Sequence, residues 1–305
     1  MGMVFDKKDP AHDPDRLPQA SVFIQSRDAG AAEEWRPVMQ AQMTGVIARN
    51  CPDCRSGAQE PLPQYSRMGW STVRCRDCGF IYLSAAPCYE ALSEDLAWTQ
   101  QFEKEKKRRK QQQPIVSWLD TKTRWRLHIA RDNEWEYICD KIQSGRVLDI
   151  GCGVKDNVPA CFTPYGIEIE KAAAERAAIL MRARGGDVIH APALAGLAQF
   201  TDGFFDGIIM RSYLEHEADP RGVLEACHAK LRPGGVIYVK VPNFATINRV
   251  VRGVEWCGFR FPDHLNYFTI DSLRSMAESA GYRFELRNWA TRYTNDNLHS
   301  FLIRA

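Results

Sequence analysis

No stretch of this 305-residue chain reaches 18 apolar residues without a break, so no transmembrane helix and no membrane insertion are expected. The opening residues, MGMVFDKKDPAHDPD, bring in charge early and hold no apolar leader core. That predicts no secretory signal and a cytoplasmic protein. An excess of one charge is missing too. The 40 Lys and Arg against 38 Asp and Glu leave a net +2, unlike a histone-like or acidic-tail protein. Cysteine is scarce: ten residues cannot staple a chain of this length as a disulfide scaffold. In a reducing compartment its clusters are read first as metal ligands. What is present is ordinary, 45% hydrophobic and 26% charged, enough to bury a core and to exclude global disorder.

The length suggests two units. Residues 1–45 are weakly periodic and read as a loosely ordered arm, with Val22, Phe23 and Ile24 as a short apolar group. Residues 46–88 hold four cysteines in two pairs. Residues 89–145 read as a helical, basic connector, with Gly145 at the helix C′ position. From 146 to 305 strands alternate with helices. RVLDI, YGIEI, DVIH, FFDGIIM and VIYVKV are strands. KAAAERAAILMRARGG is a helix stopped by Gly185 and Gly186, and Asp219–Pro220 caps another. Such alternation means βαβ units and a mostly parallel sheet, an α/β fold.

Cys51-x2-Cys54 and Cys75-x2-Cys78 are separated by twenty residues. Each pair offers two thiolates on one tight turn, and two pairs complete a tetrahedron, as in a four-cysteine zinc ribbon. Four thiolates leave no open position, so Zn2+ here is expected to be structural. Metal binding would supply folding energy that about 40 residues cannot draw from a core of their own. Cys88, Cys139, Cys161, Cys227 and Cys257 show no partner pattern and read as small buried hydrophobes.

The first strand of the alternating region ends in VLDIGCG, residues 147–153. Glycines there let the backbone approach a ligand at the carboxyl edge of a sheet. Glu168 lies 19 residues after Asp149, where a carboxylate can take ribose hydroxyls. VLDIGCG, YGIEIEKAAAERA, DGFFDGIIMRSYLEHEADP, LRPGGVIYVKVPN and DHLNYFTIDSLRSMAESAGY follow in order. Together they resemble a class I S-adenosylmethionine-dependent methyltransferase. The likeness is strongest to the small-molecule and sugar branch related to the ubiquinone-biosynthesis methyltransferases. The ribbon followed by CGFIYL resembles the N-terminal module carried by a subset of these enzymes. The resemblance implies a Rossmann-like, doubly wound, mostly parallel seven-stranded sheet. It also implies S-adenosylmethionine as cofactor and a small-molecule acceptor, best matched by a sugar, nucleotide-sugar or glycan.

Carried over residue by residue, Asp149, Gly151, Cys152 and Gly153 form the cofactor loop and Glu168 holds the ribose. Ile169 and Leu194 flank adenine, and Arg211 lines the methionine end. Two departures stand out: Lys155 replaces the third glycine of the loop, and APAL lacks the acidic residue that often meets the adenine amine. Asp206 reads as a structural turn residue. Methyl transfer needs alignment and, for some acceptors, a base. The candidates are His216, which could instead cap the following helix, and His264, which is favoured. Pro242, Asn243, Asn266 and Tyr267 are expected to line the acceptor pocket. In the ubiquinone branch a glutamate precedes the Glu-His pair and can share a metal. Ser212 stands there instead, so that metal is not expected.

From Lys104 to Arg131 the local charge is +8. It reads as a solvated helix face or as an attraction for a polyanion. Three functions therefore compete. The first is a small-molecule methyltransferase, favoured by the aromatic segment around DHLNYF. The second is an RNA methyltransferase binding nucleic acid through ribbon and basic helix. The third is a non-catalytic zinc-ribbon protein with a degenerate cofactor domain, disfavoured by the intact Asp149, Gly151, Gly153 and Glu168.

Overall fold

The computed structural model describes residues 46–87 and 134–305. The N-terminal arm, Cys88 and most of the basic connector lie outside the described residues.

The larger body is built on a seven-stranded sheet. Its strands are β6 (Gly145–Ile150), β7 (Phe162–Glu168), β8 (Asp187–His190), β9 (Phe205–Arg211), β10 (Leu231–Pro242), β12 (Tyr282–Leu286) and β13 (Asn297–Arg304). The spatial order is β12-β13-β10-β9-β6-β7-β8. The run from β8 to β10 is parallel, while β13 pairs antiparallel with both β10 and β12. The strand order reverses between β6 and β9, and a crevice opens there at the carboxyl edge. This is the doubly wound, mostly parallel sheet expected from the alternating pattern.

The helices follow from their sequences. Helix α1 (Glu134–Ile142) precedes β6 and buries Ile138 and Ile142. Helix α2 (Lys171–Arg182) buries Ala173, Ala174, Ala177, Ala178 and Met181, a small-residue face that lets it lie close to the sheet. Helix α4 (Pro220–Lys230) starts as its sequence predicts, with the Asp219 carboxylate accepting from the Gly222 amide at 3.0 Å. Helix α6 (Ile270–Ser279) carries a capping box between Thr269 and Ser272. The short α3 (Ala193–Leu197) and α5 (Ile247–Arg252) complete the described helices.

Two local expectations are corrected. Helix α1 ends at Ile142, and Gln143, at φ +64°, takes the left-handed position expected of Gly145. Gly145 is needed for another reason. Its φ is +117°, and a Cβ there would stand 2.1 Å from the Asp206 carboxylate. That carboxylate accepts from the Arg146 amide at 2.7 Å and pairs with Arg232, so Asp206 is structural, as expected. Gly145→Ala should lower stability by roughly 1–3 kcal/mol in denaturant unfolding. An unchanged midpoint would contradict this account. The second correction concerns cysteines. Cys227 is buried, but Cys139 and Cys257 are only half-buried and Cys161 is exposed. The Cys139 and Cys161 sulfurs lie 3.8 Å apart, a pairing that sequence spacing did not reveal.

Residues 46–87 form β1 (Val46–Ala48), β2 (Gln59–Pro61), β3 (Thr72–Cys75), β4 (Ile81–Leu83) and β5 (Ala85–Pro87). They do not stand apart. Strand β11 (Asn266–Tyr267), from the far end of the larger body, joins their sheet in the order β11-β4-β3-β2. Cys51, Val73, Cys75, Phe80 and Tyr82 belong to the same apolar cluster as Leu148, Ile208 and Val239 of the main sheet. Leu62, Ile81 and Leu83 pack with Phe244, Trp256, Phe259 and Tyr267.

Candidate functional site

The four cysteines converge. The sulfurs of Cys51 and Cys78, and those of Cys54 and Cys75, are 3.4 Å apart, and all four lie within 4.8 Å of one another. Tetrahedral zinc with Zn–S bonds of about 2.3 Å separates its sulfurs by about 3.8 Å, so the donors fit that ion. The turns match as well. Arg55 and Gly79, each following the second cysteine of its pair, sit at φ +65° and +76°. The Arg55 amide donates to the Cys51 carbonyl and the Gly79 amide to that of Cys75. The first turn leans on the start of α4, where Arg221 donates to the Asp53 carbonyl and Arg55 pairs with Asp219.

At the crevice, Gly151 and Gly153 take φ +72° and +66°, and a Cβ on Gly153 would meet nothing within 4 Å. The backbone there is an open cradle. Glu168 is buried at the tip of β7. Its Oε2 accepts from the Gly153 amide at 2.8 Å, and its Oε1 from the Ile169 and Glu170 amides at 2.8 and 3.0 Å. Its carboxylate is thus fixed beside the cradle, with lone pairs left for hydroxyl donors. Asp149 is 3% exposed and pairs with Arg211 at 3.2 Å. Burial raises its carboxyl, and the Arg211 charge pulls against that rise. Arg211 also lies over the Trp135 ring, 4.8 Å from its centroid. Ile169 and Leu194, expected to flank adenine, are half-buried.

Cys152 departs from its expected role. It is buried, and its sulfur would lie 2.7 Å from a Cβ on Gly166. It packs with Ala174, Ala177 and Val188, so only its backbone is available to a ligand. Lys155 is exposed.

The two candidate histidines are brought together, with ring centroids 4.7 Å apart and planes at 85°. Their environments differ. The His216 Nδ1 lies 2.9 Å from both the backbone oxygen and Oδ1 of Asp263, while its buried Nε2 lies 4.0 Å from Glu215 Oε1 and has no hydrogen-bond partner among the described residues. Burial opposes a charge on His216, but the charge and hydrogen bond of Asp263 together with the Glu215 charge outweigh it and raise the imidazole above its ordinary value. His264 is 4% exposed and donates from Nδ1 to the Gly258 carbonyl at 2.8 Å. Burial, then the neighbouring His216, pushes it well below its ordinary value. The favoured candidate is therefore the one held neutral. Capping of α4 by His216 is also not seen; Asp219 does that.

Glu215 is 1% exposed, and burial pushes its carboxyl up to about 7. Glu215, His216 and His264 place donor atoms within 4.8 Å, close enough to share a cation. Ser212 had removed that possibility from the sequence, because His264 arrives from a distant segment.

Three of the four expected pocket residues are engaged elsewhere. Asn243 is fully buried and donates to the Arg292 and Asn295 carbonyls while accepting from the Ala245 amide. Asn266 accepts from Arg49 and donates to the Leu214 and Glu217 carbonyls. Tyr267 is buried in the aromatic cluster under β4. Pro242, half-buried at the end of β10, stays at the carboxyl edge. Polar residues near a sheet edge read as lining, but here they serve backbone groups.

Two contributors had no sequence signal. Arg184 donates to the Val158, Pro159 and Phe162 carbonyls and pairs with Asp156, clamping the loop that leaves the cradle. Tyr213, whose hydroxyl bonds Glu217, comes within 3.2 Å of a Cβ placed on Gly151. It sets the His216 turn directly against the cradle.

A doubly wound sheet with a glycine cradle, a fixed carboxylate on the next strand and a polar turn after β9 defines a nucleotide-type cofactor site at a topological switch point. The family described as "Methyltransferase domain" matches residues 120–286, just over half of the chain. The chain belongs to that family and carries a class I S-adenosylmethionine-dependent methyltransferase domain. It is 29% identical over 140 residues to a "Ubiquinone biosynthesis O-methyltransferase" of Pseudomonas entomophila, covering 43% of this chain and 58% of that protein. It is 32% identical over 141 residues to the Aromatoleum aromaticum protein of the same name, again 43% and 58%. The chain thus spans little more than half the length of these curated relatives. Among solved structures, an S-adenosylmethionine-dependent methyltransferase from Archaeoglobus fulgidus aligns at 16% identity with a TM-score of 0.42, over 60% of this chain and 93% of that one. Among the described residues, no helix is long and apolar enough to cross a membrane.

Proposed function

We propose that the protein transfers a methyl group from S-adenosylmethionine to a hydroxyl of a small-molecule acceptor. In this reading His216 is the base and Asp263 its orienting partner. The observation that carries it is the His216 ring itself. Its Nδ1 is fixed on Asp263, and its buried Nε2, 4.0 Å from Glu215 Oε1, lacks a hydrogen-bond partner among the described residues, on the turn that abuts the glycine cradle. A buried polar atom without a partner costs about 1–3 kcal/mol, and an acceptor hydroxyl supplies the missing donor. Nδ1–H given to Asp263 makes Nε2 the proton acceptor. The arrangement is then suited to orient the hydroxyl and take its proton.

The cofactor, when bound, supplies an electrophilic methyl on a sulfonium. Asp149, Gly151, Gly153, Glu168 and Arg211 are the groups placed to hold it, with Glu168 taking the ribose hydroxyls. Calorimetry with S-adenosylmethionine tests this. Glu168→Ala should weaken binding roughly ten- to hundredfold, because it removes a charged acceptor and frees the Gly153 amide. An affinity equal to the parent's would remove Glu168 from the site, and no binding by the parent would favour a degenerate domain.

Zn2+ on Cys51, Cys54, Cys75 and Cys78 is part of the same proposal, as a structural ion. The acceptor hydroxyl is supported by the names of the relatives, which are O-methyltransferases. A sugar acceptor rests only on the resemblance of the ribbon-bearing subset. Release of S-adenosylhomocysteine across catechols and nucleotide-sugars distinguishes the two, and turnover of neither class would count against the reading.

A further inference from the structure

Arg49 lies in the cysteine module, outside the stretch matched by the methyltransferase family, yet it is only 8% exposed. Its guanidinium reaches across the join between the two bodies. Nη1 donates to the Leu83 and Leu265 carbonyls at 3.3 and 3.2 Å. Nη2 donates to the Ala218 carbonyl at 2.9 Å and to Asn266 Oδ1 at 2.8 Å. Asn266, held this way, donates its Nδ2 to the Leu214 and Glu217 carbonyls at 2.8 and 2.7 Å. The Leu265 and Asn266 amides both donate to the Glu215 carbonyl. The turn from Leu214 to Ala218 therefore has the carbonyls of Leu214, Glu215, Glu217 and Ala218 tied down by Arg49 or by residues 265–266. His216 sits in the middle of that turn.

We infer that Arg49 is a positioning residue for methyl transfer: through Ala218, Leu265 and Asn266 it fixes the turn that aims His216 at the cofactor cradle. The cysteine module is then one wall of the catalytic apparatus rather than a separate binding domain. A planar fork of donors suits several carbonyls at fixed spacing, which an ammonium group cannot reproduce. The inference rests on the proposed role of His216, but its geometry is independent of the acceptor.

The test uses the full chain as Arg49→Met, Arg49→Lys and Asn266→Leu, with zinc content and thermal unfolding to verify the fold. The discriminating readout is the pair of His216 ring-nitrogen chemical shifts at one fixed pH. In the parent they should report a single Nδ1–H form with a slowly exchanging proton. In Arg49→Met and Asn266→Leu that proton should exchange freely, with averaging of the two tautomers. Amide protection over residues 214–218 should fall by about tenfold or more. Arg49→Lys should restore the parent signal in part, and cofactor affinity should stay within about twofold, since the cradle is held by other strands. If Arg49→Met does not fold, Asn266→Leu severs the same link from the other side. Parent-like His216 shifts in a folded, zinc-loaded Arg49→Met or Asn266→Leu would overturn the inference. A fully active His216→Ala protein would instead sink the base assignment and leave the positioning of the turn standing.

Discussion

Replacing His216 by alanine is expected to slow methyl transfer about 10²–10⁴-fold, the usual worth of a positioned base. S-adenosylmethionine affinity should change little. The groups proposed to hold the cofactor, Gly151, Gly153 and Glu168, lie just after β6 and at the end of β7, and the loop that follows is clamped by Arg184 from beyond α2. Asp263→Asn should cost less than His216→Ala, because the backbone oxygen of residue 263 also lies 2.9 Å from Nδ1 and can still orient the ring. The pH profile carries a sign. A base whose cation is stabilised by Asp263, against the opposing effect of burial, works only once the pH exceeds its raised value. Turnover should therefore rise with pH through a point above that of ordinary imidazole, and Asp263→Asn should move that point down. His264→Ala is the comparison. With His264 held neutral and its Nδ1 spent on Gly258, its loss should act on stability more than on the pH profile. A His264→Ala protein that loses turnover at unchanged stability, beside a fast His216→Ala, would exchange the two roles.

The parallel sheet, α2 and α4 were legible because each rests on local signals. These are a β-branched run, an alanine face closed by Gly185 and Gly186, and an Asp-Pro cap. The cysteine cluster was legible because ligand spacing is a local pattern too. Both histidines were found, and the base proposed here is the one the sequence ranked second. What separates them is the Asp263 side chain on one ring and the Gly258 carbonyl on the other, contacts made across a fold. Asn243 and Asn266 were misread for a similar reason. An amide near a sheet edge has the same sequence appearance whether it meets a ligand or the chain's own carbonyls. The β4–β11 pairing could not be read at all. It joins Ile81–Tyr82 to Asn266–Tyr267, two residues on each side, and no periodicity marks so short a strand. Arg49 depends on that pairing and was hidden with it.

Loss of the metal from the cysteine module should have the largest effect on stability, and it should not stay local. The protein is expected to carry one zinc per chain, and Cys75→Ser to lose it. Structural zinc contributes about 10–16 kcal/mol of apparent binding free energy in isolated fingers. Here the strands it would hold are short, three or four residues each. The module is also continuous with the larger body. Val73, Phe80 and Tyr82 pack into the core of the main sheet, Ile81 and Leu83 into the aromatic cluster with Trp256 and Phe259, and β4 supplies the partner for β11. Unfolding the module therefore exposes apolar surface on both bodies and releases the turn that carries His216. Cys75→Ser, or removal of zinc by a chelator, should accordingly lower the main thermal transition rather than split off a small separate one, and should abolish turnover. Cofactor binding should persist at temperatures where the sheet remains folded, since the residues proposed to hold it lie outside the module. Elemental analysis with calorimetric unfolding decides the matter. A zinc-free protein with the parent's transition would remove the metal from the architecture. A module that melts alone, leaving turnover intact, would show that the two bodies are merely adjacent.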